Sequence, residues 1–164
     1  LRPEEALLAL REVLEERDRV IVDLGDHTIA AAKVGLDPDG GTGALGGSMS
    51  VALGHCLRID DGRVYCIVGD GGFFMHLHTL ATVTQNRNRF ENLTVVVVTD
   101  EVWGMTGGQE NPAVHTSPAE IARSMGFDPA ETAESVEEAL EVLKRCRKEG
   151  PSLVEMRCRP ITYL

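Results

Sequence analysis

The chain has 164 residues, enough for one domain with a substantial core and short for two. Hydrophobic residues make up 43% and charged residues 26%, the proportions of a globular protein, and a formal charge of -10 excludes nucleic-acid binding through a general basic surface. No apolar run approaches the roughly 18 residues that span a bilayer, and nothing at the start reads as a signal peptide, so no membrane role is expected and a cytoplasmic location is.

In chain order, PEEALLALREVLEERD (3–18) carries Leu and Ala at helical spacing with acids near its start and predicts an amphipathic helix. RVIVDLG (19–25) reads as a short buried strand. DPDGGTGALGG (37–47) is the glycine-rich loop, and SMSVALGHCL after it reads as a helix of small residues. RVYCIVG and LTVVVVT are continuous apolar runs of the kind found in parallel strands covered on both faces. A helix over about 73–87 joins them, which predicts a βαβ unit. Ser117-Pro118-Ala119-Glu120 is a helix start, with Ser as cap and Glu reaching back, and Ser135 with Glu138 repeats it. In the second of these helices Val136, Ala139, Leu140 and Leu143 form the core stripe, and SLVEMRC closes as a last strand. The reading is one α/β domain over 1–164: a doubly wound, mostly parallel sheet with helices on both faces.

In such a sheet ligands bind beyond the carboxyl ends of the strands. Three polar or glycine-rich segments leave those ends: Gly25-Asp26-His27-Thr28, Gly69-Asp70-Gly71-Gly72 and Thr99-Asp100-Glu101-Val102. The second runs straight into a helix, whose free backbone N–H groups suit a phosphate. Asp70 repels a phosphate, and a hard cation between them resolves the conflict. Mg²⁺ joined to one or two carboxylates and substrate phosphates is the usual arrangement, and Asp100 leaves the next strand within reach of the same ion. The four cysteines (Cys56, Cys66, Cys146, Cys158) include no CxxC pair and read as reduced thiols, which removes an iron–sulfur reading.

These segments also carry a resemblance. GDGGFFM…ENLTVVVVTDEVWGMTGGQ resembles the diphosphate-binding signature of thiamine-diphosphate enzymes, GALGGSMSVALG (43–54) their glycine loop, and DLGDH (23–27) their first strand end. The likeness is greatest to the small decarboxylases of sulfopyruvate and phosphonopyruvate, in particular the beta chain of the two-subunit sulfopyruvate enzyme. It implies thiamine diphosphate and Mg²⁺ as cofactors, with Asp70 and Asp100 binding the metal by side chain and Val102 by its carbonyl. Gly69, Gly71 and Gly72 would meet the diphosphate, and Gly104 with Met105 would close over it. Gly25, His27, Gly43 and Ala44 would border the cofactor, and Leu45 falls where the family places an apolar wedge that bends it. The family's second metal ligand is normally Asn, so Asp100 adds a negative charge there.

The family's proton relay starts from a Glu on a second, pyrimidine-binding domain. The chain has no candidate for it, since Glu101 sits at the wrong end of the cofactor. The expectation is therefore one subunit of a hetero-oligomer, with no catalytic residue of its own and a pyrimidine-binding partner, acting on a small anionic 2-oxo acid. A carboligase or acyl-transferring subunit and a non-catalytic diphosphate-binding scaffold are the alternatives. His27 reads as a cofactor contact or as a solvated loop histidine. His76 and His78, two apart on one helix, should not share a face. His115 reads as a loop residue near an acidic substrate or as surface, Trp103 as lid packing, and the Glu-rich helix faces as solvated.

Overall fold

In the computed structural model, which describes residues 1–160, five parallel strands form one sheet and helices cover both of its faces. In chain order the elements are α1 (Pro3–Val13), β1 (Arg19–Val22), α2 (Asp26–Lys33), α3 (Ser48–Cys56), β2 (Val64–Gly69), α4 (Asp70–Met75), α5 (His78–Gln85), β3 (Leu93–Thr99), the short β4 (Val102–Trp103) and β5 (Gln109–Glu110), α6 (Pro118–Ser124), β6 (Ala130–Ala133), α7 (Val136–Cys146) and β7 (Ser152–Arg157). The sheet runs β1-β2-β3-β7-β6, and β4 pairs with β5 as a separate antiparallel hairpin. Among the described residues no helix is long and apolar enough to cross a membrane.

The β-branched run of β3 lies at the centre and is buried along its whole length. Its pleat sends Val95 and Val97 to a core with Ile21 of β1, Val68 of β2, and Phe73, Leu80 and Ala122 from the covering helices α4, α5 and α6. Val96 and Val98 face the opposite core, where Leu7, Leu10, Ala30 and Leu143 come from α1, α2 and α7. Each fully buried Val, Ile or Leu contributes roughly 1.5–3 kcal/mol, so both faces of these strands must be apolar, which is what their unbroken runs encode.

Several boundaries differ from the sequence reading. α1 stops at Val13 rather than running to residue 18: Leu14 takes an extended backbone, and the Asp18 carboxylate accepts from the Glu15 N–H, turning the chain into β1. The segment expected as one helix over 73–87 is two, α4 and α5, with the first starting at Asp70. The break brings the His76 and His78 rings to 5.3 Å, so the expectation that they point apart does not hold. Ser117 and Ser135 cap their helices as expected. At α6 the acid at the helix start is the buried Glu155 of β7, which accepts from the Ser117 hydroxyl and the Ala119 N–H.

Candidate cofactor site

A cleft opens beyond the carboxyl ends of β1, β2 and β3, and three short segments build it. The first is the turn from β1 into α2. Gly25-Asp26-His27-Thr28, read as a loop, is the N-terminal turn of a helix. His27 is consequently only 5% exposed, with its Nε2 3.0 Å from the Asp23 carbonyl oxygen, so the solvated-loop alternative is incorrect. Burial pushes the His27 pKa down, against the opposing pull of Asp23 and Asp26, and keeps the imidazole neutral. Gly25 lies at φ 155°, with the imidazole folded back so closely that a methyl group there would sit 2.6 Å from Cε1.

The second segment is the glycine loop, and the sequence reading missed the residue that holds it. Asp23 is 1% exposed, and its carboxylate accepts from the backbone N–H groups of Gly46 (2.7 Å) and Ser48 (3.3 Å). This clamps the loop to the end of β1 and sets Leu45, half-buried, in the wall of the cleft. Gly46, at φ 81°, backs onto Gly72 of α4 with no room for a side chain between them. The only signal for Asp23 was a carboxylate at a strand end. Gly43 and Ala44 are exposed and lie outside the cleft lining.

The third segment pairs the end of β2 with the loop after β3. Asp70, 3% exposed, accepts from Gly71 N–H (2.7 Å) through one oxygen and from Asp100 N–H (3.1 Å) and Glu101 N–H (2.8 Å) through the other. Glu101 reaches that contact in the left-handed region, at φ 66°, a conformation a non-glycine residue holds only at a cost of order 1 kcal/mol. Burial raises the Asp70 pKa, although Asn111 and the three N–H groups oppose the rise. Burial, followed by the Asp70 charge, raises the Asp100 carboxyl to about 6, with Asp26 adding to the effect.

The β4–β5 hairpin roofs the site. Trp103 packs on the backbone of Gly71, where a methyl group would come within 2.5 Å of the indole ring. Gly104 passes as closely to the Asp26 carboxylate, and Met105 stands exposed at the rim. Of the residues singled out in the sequence, Gly25, His27, Leu45, Gly69, Asp70 and Gly71 line one cleft. Gly72, Asp100, Val102, Gly104 and Met105 complete it. His115 is exposed and outside that lining.

The arrangement gathers the carboxylates of Asp26, Asp70 and Asp100 in one glycine-lined cleft. Among the described residues no three acid, His or Cys side chains come close enough to cage an ion by themselves. A cation here would have to take further oxygens from backbone and ligand, which is the habit of Mg²⁺. Residues 23–156 match the profile of the thiamine pyrophosphate enzymes, specifically their C-terminal TPP-binding domain.

The chain belongs to the thiamine pyrophosphate enzyme family.

As a TPP-binding domain of that family it has relatives with several activities. It is 29% identical to the indolepyruvate oxidoreductase subunit IorA of Pyrococcus horikoshii, over 91% of this chain and 26% of that protein. It is 22% identical to the acetolactate synthase isozyme 1 large subunit of Escherichia coli, over 91% of this chain and 29% of that protein. To the sulfopyruvate decarboxylase subunit beta of Methanococcus maripaludis it is 28% identical, over 52% of this chain and 45% of that protein. The sequence thus spans between about a quarter and a half of these relatives' lengths. The fold matches benzoylformate decarboxylase from Polynucleobacter necessarius with a TM-score of 0.84 at 18% identity, over all of this chain and 34% of that one. The doubly wound α/β reading therefore holds, while the likeness to the sulfopyruvate enzyme is one of several within the family.

Proposed function

We propose that this chain is the metal- and diphosphate-holding half of a thiamine-diphosphate enzyme that decarboxylates a 2-oxo acid together with a pyrimidine-binding partner. The observation that carries the reading is the meeting of Asp70 and Asp100 beside the Gly71-Gly72 turn. Two desolvated carboxylates, the Asp70 charge raising the pKa of Asp100, form a site that gains most from a divalent cation. The donor set fits the group: hard oxygens for Mg²⁺ from Asp70, Asp100 and the Val102 carbonyl, and glycine backbone for the diphosphate at Gly69, Gly71 and Gly72.

Each residue has a task in this reading. Asp70 and Asp100 offset the charge of the diphosphate through the metal they hold. Gly104 and Met105, carried on the hairpin, cover it and keep water away. Leu45 would contact the bound cofactor from the cleft wall, where the Asp23 clamp on Gly46 and Ser48 holds it. His27 and Gly25 close the wall on the β1 side, the imidazole neutral beside the anionic group. Bound thiamine diphosphate supplies the electron sink for breaking the bond between a 2-oxo carbon and its carboxylate. The proposed source of the activating Glu is a pyrimidine-binding domain outside residues 1–164, and its placement on a partner subunit is supported by the likeness to IorA and to a sulfopyruvate decarboxylase beta subunit.

A small anionic 2-oxo acid of the sulfopyruvate or phosphonopyruvate kind is the proposed substrate, supported by the likeness to a sulfopyruvate decarboxylase beta subunit. A second reading, an oxidative or carbon–carbon-forming fate for the same 2-oxo acid, is favoured by the longer matches to an indolepyruvate oxidoreductase subunit and an acetolactate synthase. Co-expression with a pyrimidine-domain subunit and assay of CO₂ release, with and without an electron acceptor or a second 2-oxo acid, separates the two. CO₂ release independent of any acceptor supports decarboxylation, and release that requires one supports the second reading. Turnover at roughly 1 s⁻¹ or more by this chain alone would contradict the dependence on a partner.

A further inference from the structure

Asn111 lies directly after the lid hairpin and touches three parts of the site at once. Its backbone N–H donates to the Glu101 carbonyl (2.9 Å), closing the base of the hairpin opposite the metal loop. Its Oδ1 accepts from Ala113 N–H (2.8 Å), capping the short turn Pro112–Val114, which packs on α4. The side chain is 4% exposed, and its Nδ2 has no hydrogen-bond partner. Glu101, whose carbonyl Asn111 holds, donates its own N–H to Asp70 Oδ2 (2.8 Å), which brings Asn111 to the Asp70 carboxylate, whose charged form its side chain favours. A buried NH₂ group without an acceptor costs about 1–3 kcal/mol, so its retention next to a carboxylate calls for a reason.

We propose that Asn111 is a positioning residue that ties the lid hairpin to the metal-binding carboxylate: with metal and cofactor bound, its Nδ2 donates to Asp70 and fixes the direction of the oxygen that faces the ion. This rests on the thiamine-diphosphate reading above. Asp70 already takes three backbone N–H groups, two of them from the Asp100–Glu101 loop that the hairpin continues. Closing a cation onto Asp70 redistributes those bonds, and the side-chain amide is the donor placed to take up the vacated acceptor site. Because Asn111 also anchors Glu101, the same contact transmits metal binding to Trp103, Gly104 and Met105 over the cleft. Loss of an outer partner of a metal-binding carboxylate typically weakens the metal by about 10–100-fold.

The test compares wild type with Asn111→Ser and Asn111→Thr in the full chain within its native assembly. Both neutral replacements keep an oxygen to cap Ala113 N–H, so the turn survives while the longer amide NH₂ that reaches Asp70 is removed. Mg²⁺ is titrated at fixed thiamine diphosphate by calorimetry, with the emission of Trp103, the one tryptophan of the 164 residues, as a second readout against a Trp103→Phe control. The expected result is a rise of about tenfold or more in the Mg²⁺ concentration at half-saturation for Asn111→Ser and a smaller change in Trp103 emission on loading. The melting temperature should stay within about 2 °C of wild type. A midpoint within about twofold of wild type in a folded variant overturns the proposal, and Asn111→Thr decides if the serine variant fails to fold. If wild type itself shows no Mg²⁺-dependent binding, the cofactor reading fails and this inference with it.

Discussion

The two ends of β2 carry buried charges that are treated in opposite ways. Arg63, just before the strand, is 7% exposed, and Asp70, just after it, is 3% exposed. The Arg63 guanidinium donates to Thr94, Ser152 and the carbonyls of Leu93, Arg147 and Glu149. Its backbone N–H goes to Asp18, whose carboxylate also pairs with Arg147 at 2.6 Å. Every charge at that end meets either an opposite charge or a set of acceptors. At the other end Asp70 and Asp100 face each other, with Asp26 close by, and among the described residues their partners are amides rather than cations. Arg63 and Asp70 are both buried, so burial alone does not distinguish a structural charge from a functional one. What distinguishes them is whether the chain itself supplies the neutralising partner.

The sharpest way to break this comparison is at the structural end. Arg63→Met should destabilise the fold by about 3 kcal/mol or more in urea unfolding, because Thr94, Ser152 and the carbonyls of Leu93, Arg147 and Glu149 lose their guanidinium donor. A loss below about 1 kcal/mol would mean the network is ornamental. The next effect is in pH. Asp100 titrates near 6 in the folded chain, above the unfolded value near 4, so folding favours its protonated form. In EDTA the wild type should therefore gain stability relative to Asp100→Asn as pH falls from about 6 to about 4, on the order of 2 kcal/mol, and lose it again as pH rises through 6. Mg²⁺ with thiamine diphosphate should flatten that difference by competing with the proton. Parallel pH profiles for the two proteins under all conditions would remove Asp100 from the site. The smallest effect is expected at Leu45, which touches no charge: Leu45→Ala should change diphosphate affinity by no more than about threefold, since the lost contact is a partly exposed apolar one. Deuterium exchange at the thiazolium carbon of the bound cofactor should slow in that variant. An unchanged exchange rate would place Leu45 outside the reactive geometry.

Strands β2 and β3 and the acids at their ends were legible because continuous apolar runs, β-branched in β3, ending in Gly-Asp or Thr-Asp leave few alternatives. The start of α2 was not, because Gly25 offers no side-chain cap, and Asp26-His27-Thr28 after it reads as a turn. The break between α4 and α5 was hidden because Phe73, Phe74, Leu77 and Leu80 keep a helical apolar rhythm across it. Asp23 and Asn111 escaped for a different reason. Their roles depend on backbone groups more than 20 and on a carboxylate about 40 positions away, and no local pattern encodes such a meeting. Asn111 before a proline reads simply as a turn.

The most direct test of the central claim, that the carboxylates at the carboxyl end of β2 and β3 hold a cation that in turn holds a diphosphate, is the affinity for thiamine diphosphate measured by calorimetry in Mg²⁺ and in EDTA, for wild type and Asp70→Asn. The account predicts binding in Mg²⁺ that EDTA abolishes and that Asp70→Asn weakens by about 100-fold, or about 2.7 kcal/mol. Equal affinity in Mg²⁺ and EDTA, or an Asp70→Asn protein that binds as wild type does, would contradict it.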